Sequence, residues 1–234
     1  MKMFWAATAM APIFLSGGML HAQDADPAFS IDGYIGVVTD LRDRGLSLSD
    51  GDIAVRASVG AFHESGFYFG LDAAKIDTGL LGPGSGGNFR TEFFAGYSLD
   101  RGDYVYDLSV ELDSIYGDTS QYYPEIKASI SRDFGLAFTR VGAAYAPGGR
   151  WNNPNNQSFY TYADLEIPVP TLPALTVVSH VGRDFRSDIG NLWDWSVGLS
   201  LFVGDVELSL SYDDASLDQR AGNGEVIFGT RLYF

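Results

Sequence analysis

The two residues best suited to acid–base chemistry in this sequence are His180 and Asp184. They are four positions apart on a strand-like segment, so their side chains share one face, and a carboxylate beside a histidine can form a general base. No partnering serine motif accompanies them, and a lone histidine on a polar face is usually a lining residue. We therefore assign no catalytic residue, although an enzyme remains an alternative.

A second candidate is the glycine pattern G-x-G-x-x-G at Gly82, Gly84 and Gly87. In dinucleotide-binding proteins this pattern opens a helix whose N-terminus holds the pyrophosphate. Here it leads into an alternating segment that begins at Phe89, so we interpret it as an external loop. We predict neither a cofactor nor a metal site.

Ionisable side chains recur at every second position over much of the chain, which places them on one face of successive strands. Acidic residues outnumber basic ones on this face, and rings of carboxylates favour cations. We interpret the face as the lining of a water-filled lumen that prefers cationic or neutral solutes. The candidate lining residues are Asp40, Arg42, Arg56, Asp72, Arg90, Glu92, Asp107, Glu111, Asp113, Glu125, Lys127, Asp164, Glu166, Asp194, Glu207, Asp213 and Arg231.

Strands must position these residues, because alternating segments of about ten residues are separated by turn-forming clusters nearly to the end of the chain. The clearest is FRTEFFAGYSL at 89–99, and the first is predicted over 29–42, with Leu41 on its apolar face. We count about twelve strands. Short and long connections alternate, as in up-and-down antiparallel barrels with short periplasmic turns and longer outer loops. The predicted fold class is an all-β transmembrane barrel.

The apolar face carries aromatic residues towards the strand ends, as the lipid-facing band of such barrels does. Inward Tyr68, Tyr160 and Tyr162 are expected to narrow the bore. A soluble exported β protein that binds an apolar ligand shows the same alternation with the faces reversed, and it remains a second alternative. The candidate girdle residues are Tyr97, Tyr104, Tyr106, Tyr122, Phe159, Trp193, Trp195 and Phe234.

The amino-terminal residues have the pattern of a secretory signal peptide, with Lys2, an apolar run and then helix-breaking glycines. We assign residues 1–22 to this peptide, with cleavage between 22 and 25, and residues 23–234 to one barrel domain. No later apolar stretch approaches the roughly 18 residues that a transmembrane helix needs. The net charge of minus 15 argues against nucleic acid as a partner.

Two short motifs carry a resemblance to a known family. An early strand is followed by Arg44, Gly45 and Ser47, and then by the stretch SGFYFG at 65–70. In these the chain resembles the TorF family of putative porins, most specifically over about 36–77. The resemblance implies an outer-membrane barrel with no established solute and no established residue roles.

The final strand ends in Phe234, and in this it resembles the signal by which outer-membrane proteins are recognised for insertion. We therefore expect a bacterial outer-membrane porin and not an enzyme. Its expected partners are outer-membrane lipid, small hydrophilic solutes and, through Phe234, the outer-membrane assembly machinery. The enzyme alternative is a membrane barrel of the phospholipase or protease type.

Overall fold

A computed structural model describes residues 28–77, 88–117, 120–187, 190–217 and 220–234. The predicted signal peptide (1–22) and the glycine pattern at 82–87 lie outside these ranges. Within them, no helix has the length and apolar character needed to cross a bilayer. A single 3₁₀ turn, Arg220–Gly222, is described.

Twelve long strands form one closed antiparallel barrel, which confirms the predicted fold class and strand number. Each strand pairs with its neighbours in the chain, and β1 pairs with β12 to close the ring. The bounds are β1 (Phe29–Val38), β2 (Ala54–His63), β3 (Phe67–Lys75), β4 (Phe89–Arg101), β5 (Tyr104–Tyr116), β6 (Gln121–Asp133), β7 (Phe138–Ala146), β8 (Ser158–Val169), β9 (Leu172–Arg186), β10 (Leu192–Val203), β11 (Val206–Ala215) and β12 (Glu225–Tyr233).

The connections differ between the two ends of the barrel. At the short-turn end they comprise residues 64–66, 102–103, 134–137, 170–171 and 204–205. At the long-loop end lie residues 39–53 and 147–157 together with four other connections. Both of these long loops contain a small two-stranded hairpin: the first hairpin, residues 42–47, and the second hairpin, residues 149–154.

The apolar side chains of the strands face outward and the ionisable ones face inward. Phe93, Leu108 and Leu199 are 51%, 57% and 41% exposed, whereas Glu92 and Asp194 are buried. This arrangement is the reverse of the one that a soluble barrel with an apolar core requires. Exposed aliphatic and aromatic residues cover the outside from β1 to β12.

Barrel closure depends on the end of β12. Gly33 and Phe234 exchange two backbone hydrogen bonds of 3.0 Å each. A side chain on Gly33 would come within 2.8 Å of the Phe234 ring, so the absence of a Cβ makes room for that ring beside β1.

One prediction about the first strand was wrong. β1 ends at Val38, so Asp40, Leu41 and Arg42 belong to the loop that follows and not to the predicted strand 29–42. Leu41 is buried instead of facing outward, because this loop folds into the barrel.

The inward fold of this loop is stabilised by an apolar cluster at the long-loop end. Leu41, Leu46 and Leu48 pack there with Ile115 and Trp151. Complete burial of a leucine side chain contributes about 1.5–3 kcal/mol, so the cluster holds the first hairpin inside the mouth of the barrel.

Candidate functional site: the barrel interior

The interior brings together the residues that the sequence marked as lumen-lining. Fourteen of the seventeen are buried, and Arg56, Asp107 and Arg231 are half-buried. Fifteen of them lie on barrel strands, while Asp40 and Arg42 reach the interior from the loop after β1.

The first hairpin crosses the bore. Positive φ angles at Arg44 (52°) and Gly45 (73°) are typical of a type I′ turn, which glycine at the second position favours. A Cβ on Gly45 would lie 2.8 Å from Cβ of Asp194 and 2.9 Å from Cβ of Ala215. The tip of the hairpin therefore rests directly against β10 and β11.

Glu125 on β6 joins both hairpins to the wall. It accepts hydrogen bonds from Arg44 Nη2 at 2.5 Å and from Arg150 Nη1 at 2.9 Å. Arg150 also pairs with Asp43, and Trp151 donates a hydrogen bond from Nε1 to the same carboxylate at 2.7 Å. Two hairpins from distant parts of the chain thus share one buried ion-pair cluster.

The charge state of Asp43 follows from this cluster. Burial opposes its ionisation, but the guanidinium groups of Arg150, Arg90 and Arg44 outweigh that effect and hold the pKa of the Asp43 carboxyl below its usual range. The contact between the two hairpins is therefore ionic at neutral pH.

Further ion pairs fill the adjoining wall. Arg90 contacts Glu92 at 2.5 Å and Asp113 at 2.7 Å, and Lys127 pairs with Glu111. Among the described residues, thirteen buried carboxylic side chains face only six buried basic ones. The interior therefore has a clear excess of acidic groups.

His180 and Asp184, which the sequence places on one strand face, have different partners in the structure. Asp184 accepts a hydrogen bond from Ser158 at 2.5 Å. Nδ1 of His180 lies 2.6 Å from Asp164, and Nε2 lies 3.0 Å from Asp194. A ring with carboxylates at both nitrogens acts as a cationic brace, because neither nitrogen is left to accept a substrate proton.

Aromatic rings fill one side of the lumen by packing over inward glycines. Tyr68 lies over Gly96, and Tyr160 lies over Gly182. The rings of Tyr162 and Phe94 lie over Gly142 and Gly70 in the same way. A Cβ at any of these glycines would collide with the ring, so each glycine leaves room for an aromatic side chain. These aromatic side chains narrow the bore between β3 and β9.

The opposite side of the lumen is lined by small residues and remains more open. Gly36 on β1, Ser209 and Ser211 on β11 and Gly229 on β12 border a cavity of about 60 Å³. Arg56 and Arg231 also border it, as the two residues directly paired with Gly36 on its neighbouring strands. A cavity therefore lies beside the wall formed by β1, β11 and β12.

Several interior residues were missed by sequence reasoning. Asp43, Arg44 and Arg150 lie in the connections that follow β1 and β7, and Arg140 lies on β7. The type I′ signature of Arg44-Gly45 is the one local feature that marks a hairpin there. No group of three or more His, Asp or Glu side chains suited to a metal ion occurs in the part of the chain that the structure describes.

All eight candidate girdle residues are exposed on the outside of the barrel. Tyr97, Tyr104 and Tyr106 lie towards the short-turn end. Towards the long-loop end, Phe159 contacts Phe185 and Trp195 contacts Tyr212, with ring centroids 6.3 and 5.4 Å apart. The candidate girdle residues at the long-loop end are Tyr122, Phe159, Trp193 and Trp195, and Phe234 lies at the seam with β1.

The same barrel occurs in solved porin structures. The KdgM porin aligns with a TM-score of 0.58 at 10% identity, covering 88% of this chain and 99% of its own. The KdgM porin in complex with disordered oligogalacturonate aligns with a TM-score of 0.55 at 11% identity over the same shares. The NanC porin aligns with a TM-score of 0.55 at 10% identity, covering 88% and 99%. At these identities the likeness establishes the fold, which is that of an outer-membrane porin.

A comparison with curated protein sequences finds no significant match. A family profile described as "Bacterial protein of unknown function (Gcw_chp)" matches residues 22–230. This match spans nearly all of the barrel, from before β1 to within β12. The chain therefore belongs to the Gcw_chp family of bacterial proteins.

Proposed function

We propose that this protein is an outer-membrane channel through which small hydrophilic solutes diffuse, with a preference for cationic or neutral ones. The observation that carries the proposal is the distribution of polarity across the barrel wall. Apolar side chains such as Phe93 and Leu108 lie outside, and carboxylates such as Glu111 and Asp194 lie inside. Only a hydrocarbon exterior and a hydrated interior make both arrangements favourable together.

The solute preference follows from the acidic excess of the interior. Carboxylate rings attract cations, and buried ion pairs neutralise only part of the negative charge here. The KdgM porin has been observed with oligogalacturonate, a chain of sugar acids. We expect the interior of this protein to be unfavourable for such anions, because its carboxylates outnumber its basic groups.

The proposal includes a location in the outer membrane and the removal of residues 1–22. It also includes recognition of the final strand, through Phe234, by the outer-membrane assembly machinery. Membership of the TorF family of putative porins, which the sequence resembles, is also part of this proposal. The exposed aromatic belts support contact with lipid at two interfacial levels, and no enzymatic activity is proposed.

Planar-bilayer recording of the purified protein tests the function directly. The expected result is discrete conductance steps with a potassium-to-chloride permeability ratio above one. Absence of steps, with the barrel still folded by its heat-dependent electrophoretic migration, would contradict the channel. A permeability ratio below one would contradict the charge argument.

A further inference from the structure

Side chains fill one side of the lumen more than the other. This difference indicates the side along which a solute could pass. From β3 to β9, rings over glycines and ion pairs fill the interior. Along β1, β11 and β12 the inward positions include Gly36, Ser209, Ser211 and Gly229, which border the cavity of about 60 Å³. The cavity therefore lies where several inward positions carry only a hydrogen atom or a small hydroxyl side chain.

The cavity extends along the strands. On β11 its lining runs from Ser209 to Asp213, four residues further on. At about 3.4 Å per residue, these two levels are about 14 Å apart. The groove is therefore long enough to be a segment of a passage.

The guanidinium groups that border the groove are matched by carboxylates. Arg42 contacts Asp40 at 2.6 Å, Arg56 contacts Asp72 at 3.0 Å, and Arg231 contacts Glu207 at 3.1 Å. These basic groups therefore leave little net positive charge to attract an anion.

Asp213 differs from the other charged groups of the groove. It is 8% exposed, Ser211 donates a hydrogen bond to it, and its second oxygen, Oδ1, has no partner. Arg42 bonds the backbone carbonyl of Asp213 and not its carboxylate. Among the described residues that border the groove, no other buried side-chain oxygen or nitrogen lacks a partner. A buried carboxylate oxygen without a donor favours a cationic ligand that brings one.

We propose that solutes cross the barrel off its axis, along the wall of β1, β11 and β12, and that Asp213 binds the ammonium group of a small organic cation on this route. An ammonium group carries three donors, which the Asp213 carboxylate and the hydroxyl oxygen of Ser211 can accept. The transport part of this inference rests on the proposed channel function; the binding part does not.

The absence of cysteine from the chain makes chemical labelling a clean test of the route. Ser209→Cys places one thiol in the groove, and Ser109→Cys places one on β5, where Ser109 bonds Tyr68 in the filled half. Folded protein is treated with a cationic or an anionic methanethiosulfonate, and labelling is followed by mass. Ser209→Cys is expected to react and Ser109→Cys to remain unlabelled. The reverse order would overturn the off-axis route.

The role of Asp213 is tested in the same background. The cationic reagent is expected to label Ser209→Cys about tenfold faster than the anionic one. Asp213→Asn should remove most of this difference. Asp214→Asn, the same change one residue away on the outward-facing side of β11, should preserve it. Equal effects of the two substitutions would overturn the assignment of Asp213.

The ammonium class is tested by protection. Methylammonium is expected to slow the labelling of Ser209→Cys, and tetramethylammonium, which has no N–H donor, is expected to have no effect. Equal protection by both ions, or none, would overturn the ligand assignment. The labelling experiments do not require the protein to conduct ions. Absence of conductance would therefore contradict the proposed channel function, whereas the labelling results test cation binding independently.

Discussion

Arg44, at the tip of the first hairpin, donates a hydrogen bond of 2.5 Å across the bore to Glu125 on β6. The same guanidinium stacks over Tyr160 of β8, with its carbon 4.1 Å from the ring centroid. One loop residue therefore joins the hairpin to two strands of the opposite wall, and the mouth of the barrel is obstructed as a result.

Loss of this contact is expected to widen the mouth. Arg44→Ala leaves Glu125 with one fewer cationic partner, and breaking a buried pair costs about 3–5 kcal/mol. We expect a larger single-channel conductance than in the wild type. Arg220→Ala is the control, since the Arg220 side chain is 71% exposed. Equal conductance in Arg44→Ala and wild type would contradict an obstructing hairpin.

A methyl group on Gly45 is expected to displace the hairpin from the wall. Its Cβ would meet Cβ of Asp194 and the carbonyl oxygen of Asp214, each at 2.8 Å. Overpacking of this kind costs about 1–3 kcal/mol. The measurement is cleavage of folded protein by trypsin after Arg42 or Arg44, which should accelerate in Gly45→Ala.

The matched control for this change is Gly102→Ala. Gly102 also has a positive φ, of 65°, but nothing lies within 4 Å of its Cβ position. Any effect common to both variants reflects backbone strain alone, so only an excess in Gly45→Ala supports contact between the tip and the wall.

The seam between β1 and β12 is expected to be sensitive at Gly33. A Cβ there would lie 2.8 Å from the Phe234 ring and 2.7 Å from the carbonyl oxygen of Ser58. We expect Gly33→Ala to lower the free energy of unfolding by about 1–3 kcal/mol. The temperature at which the folded band is lost in electrophoresis reports this. Gly148→Ala, with open space at its Cβ position, should migrate as wild type.

His180 is expected to contribute to stability and not to catalysis. His180→Asn removes the cationic group between Asp164 and Asp194 and leaves two buried carboxylates facing each other. The expected loss is about 3–5 kcal/mol in the free energy of unfolding by urea in lipid vesicles. The control is His63→Asn, because His63 lies at the edge of a turn and bonds the neighbouring Ser65. A similar loss in both variants would argue against the brace.

The hairpin contact is expected to resist acid. The pKa of Asp43 is lower in the folded protein than its unfolded value of about 3.9. Its contribution to stability is therefore complete above the unfolded pKa, and it is lost only as the pH falls through the lower folded pKa.

Conductance measured from neutral pH down to about pH 4 tests this, since an ordinary aspartate begins to protonate at the lower end of that range. We expect the wild type to stay in its narrow state throughout, and Asp43→Asn to show larger conductance at every pH. Opening of the wild type as the pH approaches 4 would contradict the depressed pKa.

Much of the architecture was predictable from local patterns. A strand alternates its side chains between two faces, so the twelve segments and the grouping of Glu92, Asp113 and Asp194 on one polar face follow from spacing alone. Alternating short and long connections then predicted antiparallel neighbours in chain order. These features depend on residues that are close in sequence.

The loop residues that fill the mouth of the lumen were not predictable in this way. A loop that folds inward can have the same polarity and length as one that extends outward. The burial of Leu41, Arg44 and Arg150 therefore had no local signature in the sequence. The partners of these residues, Glu125 above all, lie tens of residues away along the chain.

The sequence by itself therefore determined that this chain is a twelve-strand barrel with one apolar and one ionisable face, because the period of two is a property of each strand. Only the tertiary structure decided that His180 joins Asp164 and Asp194 instead of Asp184, and that the open space lies beside Gly36 and Ser209. Such contacts depend on register between strands and on the path of the loops, and both are set by packing across the whole barrel.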